Sequence, residues 1–163
     1  MSLEEKELLE QEDTQHGRYL TFAVGDEVFG IEIRYVTEII GIQPITKLPE
    51  APEHIKGVIN LRGRIIPVVD VRLKFKKDPI EYNDRTCVIV VEANSLVAGL
   101  IVDNVAEVIS IADEDVVPPP EYSASVNNSY IKGIGKSDGK VKLLLDCEKL
   151  FRADEESVLR AAI

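Results

Sequence analysis

The sequence predicts an all-β protein of two small five-stranded barrels packed on each other, produced by internal duplication. Three observations predict it. Apolar residues alternate with others over short runs bounded by Gly, Asn and Asp, which is the period of a strand and the chemistry of a turn. The pattern of the first half returns in the second. A half of roughly 65 residues would be marginal alone, so two such halves must bury apolar surface against each other.

Taken in order, residues 1–17 are charged, with Leu3, Leu8 and Leu9 as the large aliphatics, and read as a flexible acidic tail. Leu20, Phe22 and Val24 alternate through a first strand, Gly25-Asp26 turns, and Val28 to Ile33 returns. VTEIIGI at 36–42 is a third segment, and the proline-rich 44–53 is a loop. Ile55 to Leu61 and Arg64 to Val69 form a hairpin about Asn60-Leu61-Arg62-Gly63, and Pro67 argues for an edge or a bulge. Asp70 is placed to cap a helical turn, VRLKF. After a polar linker the programme restarts at Arg85. CVIVVEA, LVAGLIV and VAEVISI are strands, 112–129 is a long loop, and 130–145 is a hairpin about Ser137-Asp138-Gly139. Asp146 caps again, and 154–163 reads as an amphipathic terminal helix. The expected division is 1–17 tail, 18–84 first barrel, 85–151 second barrel and 152–163 C-terminal helix, with strand exchange between barrels left open.

The repeat aligns in two ungapped blocks. Gly30, Val36, Glu38 and Ile40 match Gly99, Val105, Glu107 and Ile109, 69 positions later. Ile55, Lys56, Gly57, Gly63, Asp70 and Phe75 match Ile131, Lys132, Gly133, Gly139, Asp146 and Phe151, 76 positions later. Apolar faces such as Val36/Ile39 and Val105/Val108 are expected near the joint between barrels.

Composition excludes several functions. The net charge of −10 is wrong for displacing counterions from nucleic acid or for binding anionic lipid. A barrel gripping oligonucleotide or oligosaccharide needs an aromatic face, and five Tyr, four Phe and no Trp in an acidic chain supply a poor one. No signal-peptide core or membrane-spanning run appears, so the expected compartment is the cytoplasm. Cys87 and Cys147 are expected as buried thiols. His16 and His54 stand apart, no zinc spacing occurs, and no catalytic set assembles. Gly135-Lys136-Ser137 lacks the upstream glycine of a phosphate loop, since Tyr130 stands there. No cofactor is expected. The polar corner at Asn60–Gly63 stands out, because the copy at Lys136–Gly139 keeps its glycine and loses its arginine. The hairpin needs Gly, and Arg62 is free for recognition.

GVINLRGRIIPVVDVRLKF with the upstream FGIEIRYVTEI resembles the CheW family of bacterial chemotaxis coupling proteins, over roughly residues 18 to 151. The resemblance is to the stand-alone adaptor rather than a fused relative. It implies two SH3-like (OB-like) barrels and a non-enzymatic scaffold, monomeric in isolation and recruited to membrane-bound receptor arrays. The implied partners are methyl-accepting receptors and the regulatory domain of the histidine kinase CheA, which shares the double-barrel fold. It places receptor contact at Gly57, Val58, Asn60, Arg62 and Val108, and kinase contact at Val36, Glu38 and Ile39. On this reading Gly57→Asp disturbs receptor contact while sparing the fold.

Overall fold

The computed structural model describes residues 15–119, 130–151, 156 and 158–160. The strands are β1 (Arg18–Val24), β2 (Glu27–Glu32), β3 (Val36–Gly41), β4 (Ile55–Leu61), β5 (Arg64–Asp70), β6 (Cys87–Ala93), β7 (Leu96–Val102), β8 (Asn104–Ser110), β9 (Val116–Val117), β10 (Ile131–Ser137) and β11 (Lys140–Leu145). A short helix, α1 (Val71–Lys74), follows β5, and the Asp70 carboxylate accepts from the Leu73 N–H at its start. The matching Asp146 accepts from the Glu148 N–H. Both expected caps are present. Residues 156 and 158–160 are helical and Leu159 is fully buried; the rest of the expected terminal helix, and the 1–14 part of the tail, lie outside the described residues.

The strands form two mixed sheets, ordered β8-β1-β2-β11-β10-β9 and β3-β6-β7-β5-β4. The repeat makes β6, β7, β8, β10 and β11 the copies of β1, β2, β3, β4 and β5. Written in those terms the two sheets have the same order. The sheets do not follow the boundary between sequence halves at 84/85, because each first hairpin pairs with the later strands of the other half. β2 runs parallel to β11, with Gly30 opposite Leu144, and β5 runs parallel to β7, with Val68 opposite Gly99. The glycines match because the crossings match. A Cβ on Gly99 would lie 2.6 Å from Val88 Cγ1 and 2.9 Å from Val68 Cγ1, and one on Gly30 3.0 Å from Leu144 Cδ2.

Burial explains why the strands are apolar on both faces. One face of each sheet meets the other sheet in a central core that includes Leu20, Phe22, Ile31, Ile89, Leu100 and Leu145. The opposite face of the five-stranded sheet buries Ile59, Ile66, Val68, Val88 and Val90 in a cluster of its own. The six-stranded sheet does the same with Tyr19, Ile111 and Leu144. Val36 and Val105 pack on the central core as expected, but Ile39 and Val108 do not; they are 44% and 41% exposed. Both share the central face, since Ile39 pairs with Ile89 and Val108 with Leu20, but they stand on the edge strands β3 and β8 and stay partly open to solvent. Pro67 is not on an edge, because β5 lies between β7 and β4. Val58, its partner on β4, directs both backbone groups to Thr46, so the proline nitrogen faces β7, where pairing starts only at Val68.

Two local contacts hold this arrangement. Thr46 and Val58 exchange backbone hydrogen bonds of 2.9 Å each, at a bulge beside Gly57. Gly57 has φ +145°, and a Cβ there would lie 2.0 Å from the Thr46 carbonyl oxygen. The position is structural, which corrects the expectation that a side chain at 57 spares the fold. At a corner between sheets, Arg72 on α1 donates to Asp103 through Nε (2.8 Å) and Nη2 (2.7 Å), and the Gly25 N–H of the β1–β2 turn donates to the same carboxylate at 2.8 Å. Burial alone would raise the Asp103 carboxyl, but the guanidinium and the amide outweigh it and hold it below the usual range.

Gly57→Ala is expected to lose more than about 1 kcal/mol of stability in urea titration, since positive φ and a backbone clash combine. For Asp103 the sign follows from its lowered value. Its contribution is present above the unfolded carboxylate range and disappears as pH falls through the native one. The Tm gap between wild type and Asp103→Asn is therefore expected to be full at neutral pH and to close below about pH 4.

Candidate functional site

The β4–β5 hairpin carries the site. β4 extends through Leu61, so Asn60 is a strand residue and the turn is only Arg62-Gly63, shorter than the four-residue turn expected. Both turn residues have positive φ, 51° and 85°, the geometry of a type I′ hairpin. Asn60 supports it by accepting from the Gly63 N–H at 2.8 Å. The copy turns the same way, with φ 54° at Asp138 and 73° at Gly139. Type I′ turns favour Asn, Asp or Gly in the first place, as Asp138 illustrates. An arginine in the left-handed region costs about 1–2 kcal/mol.

Arg62 Nη2 donates to Glu38 Oε2 on β3. The side chains are 70% and 30% exposed. A solvent-exposed pair contributes about 0.2–1 kcal/mol, so it does not outweigh the strain of the turn. Arg62 is thus unexplained by stability, and its guanidinium is within a visitor's reach. Beside it, at the end of the five-stranded sheet, opens a hollow of about 300 Å³. Leu61, Ile66, Val90 and Val97 line it with apolar groups, and Glu38, Arg62, Arg64 and Glu92 with charged ones.

The structure brings Arg62 and Glu38 together, although the resemblance assigned them to different partners. Val58 and Asn60 share their hairpin, with Val58 half-buried and Asn60 exposed. Gly57 is buried behind it. Val36 is half-buried against the central core, and Ile39 faces solvent on β3. Val108 lies on the other sheet, opposite Leu20. It is the copy of Ile39. Arg64 and the 42%-exposed Ile65 belong to the same corner and were missed by the sequence reading. The signal was available in Ile65-Ile66: two adjacent apolar residues on a strand must face opposite ways, and one of them faces solvent.

Among the described residues, no group of three or more His, Cys, Asp or Glu is placed to hold a metal ion. None of the described helices is long and apolar enough to cross a membrane. Cys147 is buried, which pushes its thiol up to about 12, and Cys87 is half-buried.

The family model described as CheW-like domain matches residues 18–155. The chain belongs to the CheW-like domain family. It is 36% identical over 147 residues to the chemotaxis protein CheW of Klebsiella aerogenes, covering 90% of this chain and 89% of that one. It is 35% identical over 145 residues to the chemotaxis protein CheW of Helicobacter pylori, covering 88% and 87%. Its fold matches the crystal structure of the scaffolding protein TtCheW from Thermoanaerobacter tengcongensis with a TM-score of 0.78, at 36% identity over 85% of this chain and 94% of the other. Membership in this family of chemotaxis scaffolds fits a surface-exposed recognition corner on an all-β body.

Arg62→Asn, which restores favoured I′ chemistry, is expected to leave stability within about 1 kcal/mol of wild type, because relief of strain offsets the lost ion pair. Urea titration of the two proteins checks this.

Proposed function

We propose that the chain is a non-catalytic adaptor coupling the tips of methyl-accepting chemoreceptors to the regulatory domain of the histidine kinase CheA. It works in the cytoplasm, at membrane-bound receptor arrays, and is a monomer when alone. On this reading each sheet closes into an SH3-like barrel. The Thr46–Val58 bridge supports that closure in one sheet, and the short run from β8 to β9 supports it in the other.

The observation that carries the proposal is Arg62. It is strained in its turn, exposed, and absent from the duplicate hairpin. The receptor tip is a helical hairpin whose apolar stripe lies along Val58 and Ile65, with Val108 extending the surface on the other sheet. Arg62 orients it through a carboxylate or carbonyl contact. Gly57 serves this surface by letting β4 approach Thr46, and Asn60 by shaping the turn. The kinase docks along Val36, Glu38 and Ile39. Two partners held on one stiff body can pass on a small change in relative placement without any chemistry here. Each contact is weak by itself and gains strength from array multiplicity.

Calorimetric titration of the purified chain with a receptor-tip fragment and with the CheA regulatory domain tests this. Wild type is expected to bind both, and Arg62→Ala to weaken receptor binding by roughly 1–3 kcal/mol with the thermal melt unchanged. A folded Arg62→Ala protein that holds the receptor tip as wild type does would remove Arg62 from the interface.

A further inference from the structure

At β9–β11 the central-core face of the six-stranded sheet runs out to solvent. Val117 on β9 lies opposite Ile134 on β10, Ile134 opposite Leu143 on β11, and Lys136 opposite Val141. Strand alternation puts these five side chains on one face. Leu143 still packs on the central core, but Val117 and Val141 are 59% and 52% exposed, more than any other large hydrophobic among the described residues. The hairpin is also basic. Residues 130–142 hold Lys132, Lys136, Lys140 and Lys142 against the single carboxylate of Asp138, in a chain of net charge −10. Lys132 donates to Glu32 and Tyr19, and Lys142 to the Ser137 carbonyl. Lys136 and Lys140 are exposed and have no ion-pair partner among the described residues.

We propose that this face is covered by the acidic segment 1–14 of the same chain, with its leucines on Val117 and Val141 and its carboxylates on Lys136 and Lys140. Composition selects this occupant. Residues 1–14 hold six carboxylates, one lysine, and Leu3, Leu8 and Leu9, which complement the face in both charge and apolar surface. The place where the segment joins the fold also selects it. The Gly17 carbonyl accepts from the Ile111 N–H at 2.8 Å, and His16 Nε2 lies 2.9 Å from an Asp113 carboxylate oxygen, so the chain enters beside the run that leads into β9. The two valines stand two strands apart, about 10 Å, well within the reach of such a segment. Asp113, Glu114 and Asp115 at the entry repel a carboxylate run and favour its displacement toward the hairpin lysines. The segment 120–129, between β9 and β10 in sequence, has one carboxylate, Glu121, and cannot answer both free ammonium groups. A short tether sets an effective concentration on the order of millimolar, so a contact too weak to hold a separate acidic chain is still populated. The repeat gives the contact a consequence. Ile134, Lys136 and Val141 are the copies of Val58, Asn60 and Ile65, so covering them leaves one open face of this form instead of two. That consequence rests on the adaptor reading; the contact itself does not.

NMR on the methyl-labelled full chain, dilute and at low salt, tests this. Nuclear Overhauser contacts are expected from the methyls of Leu3, Leu8 or Leu9 to those of Val117 and Val141, and they are expected to fade as salt is raised. In the double variant Lys136→Glu, Lys140→Glu they are expected to be lost with the thermal melt unchanged, because neither lysine has an internal partner to lose. Wild type without these contacts overturns the proposal and leaves the face to a separate acidic partner. Contacts that vanish on dilution overturn it too, by assigning the face to the segment of a second copy. Contacts that persist in the folded double variant overturn the pairing with the lysines. If the double variant fails to fold, the wild-type contacts and their salt dependence decide. None of these results touches receptor or kinase binding, so the adaptor reading stands or falls separately.

Discussion

The structure depends on two parallel pairings, β2 with β11 and β5 with β7. Each joins a strand of one sequence half to a strand of the other. Parallel neighbours cannot be joined by a tight turn, so they tie together segments far apart in the chain. With both pairings present, neither half owns a sheet. The central core follows from this, since its residues come from both sheets and every sheet from both halves. So does stiffness. Pulling one sequence half from the other would have to break main-chain hydrogen bonds as well as side-chain packing, and the Arg72–Asp103–Gly25 corner ties the two sheets together.

Duplication supplies an internal control for function. Features that both copies keep are those the scaffold needs: the crossing glycines Gly30 and Gly99, the bulge glycines Gly57 and Gly133, and the caps Asp70 and Asp146. Features present in one copy are available for recognition. Arg62 faces Asp138 across the repeat, and Ile66 faces Lys142. Both differences fall at the same end of the same sheet, and an acidic chain places two arginines there.

Ten of the eleven strands among the described residues were legible, because short apolar runs end in turn residues and the pattern recurs; β9 (Val116–Val117) was read as part of the 112–129 loop, since two residues carry no period. The pairing partners were not legible. Alternation records which face of a strand is buried, but a strand buried on both faces, such as Leu96–Val102, says nothing about its neighbours. Nor does an apolar residue declare how near it lies to a sheet edge: Ile39 and Val108 share the face of the central core, yet on edge strands they remain exposed. The recognition corner was half legible. Arg62 stood out by its absence from the copy. Its contact with Glu38 needs the far edges of one sheet to meet, and the hollow needs the ends of five strands, and no local pattern encodes either.

The exchange of hairpins also bears on how the chain is made. β1 and β2 leave the ribosome before the other described strands and can zip together at once, yet the strand that flanks β2 in the finished sheet is β11, the last of the described strands. Until then an edge of that hairpin stays bare, with its hydrogen-bonding groups open to other nascent chains. The hairpin is therefore open to mispairing while the strands between β2 and β11 are translated, and cells that overproduce the protein would meet that hazard in the ribosome-bound state before the folded one.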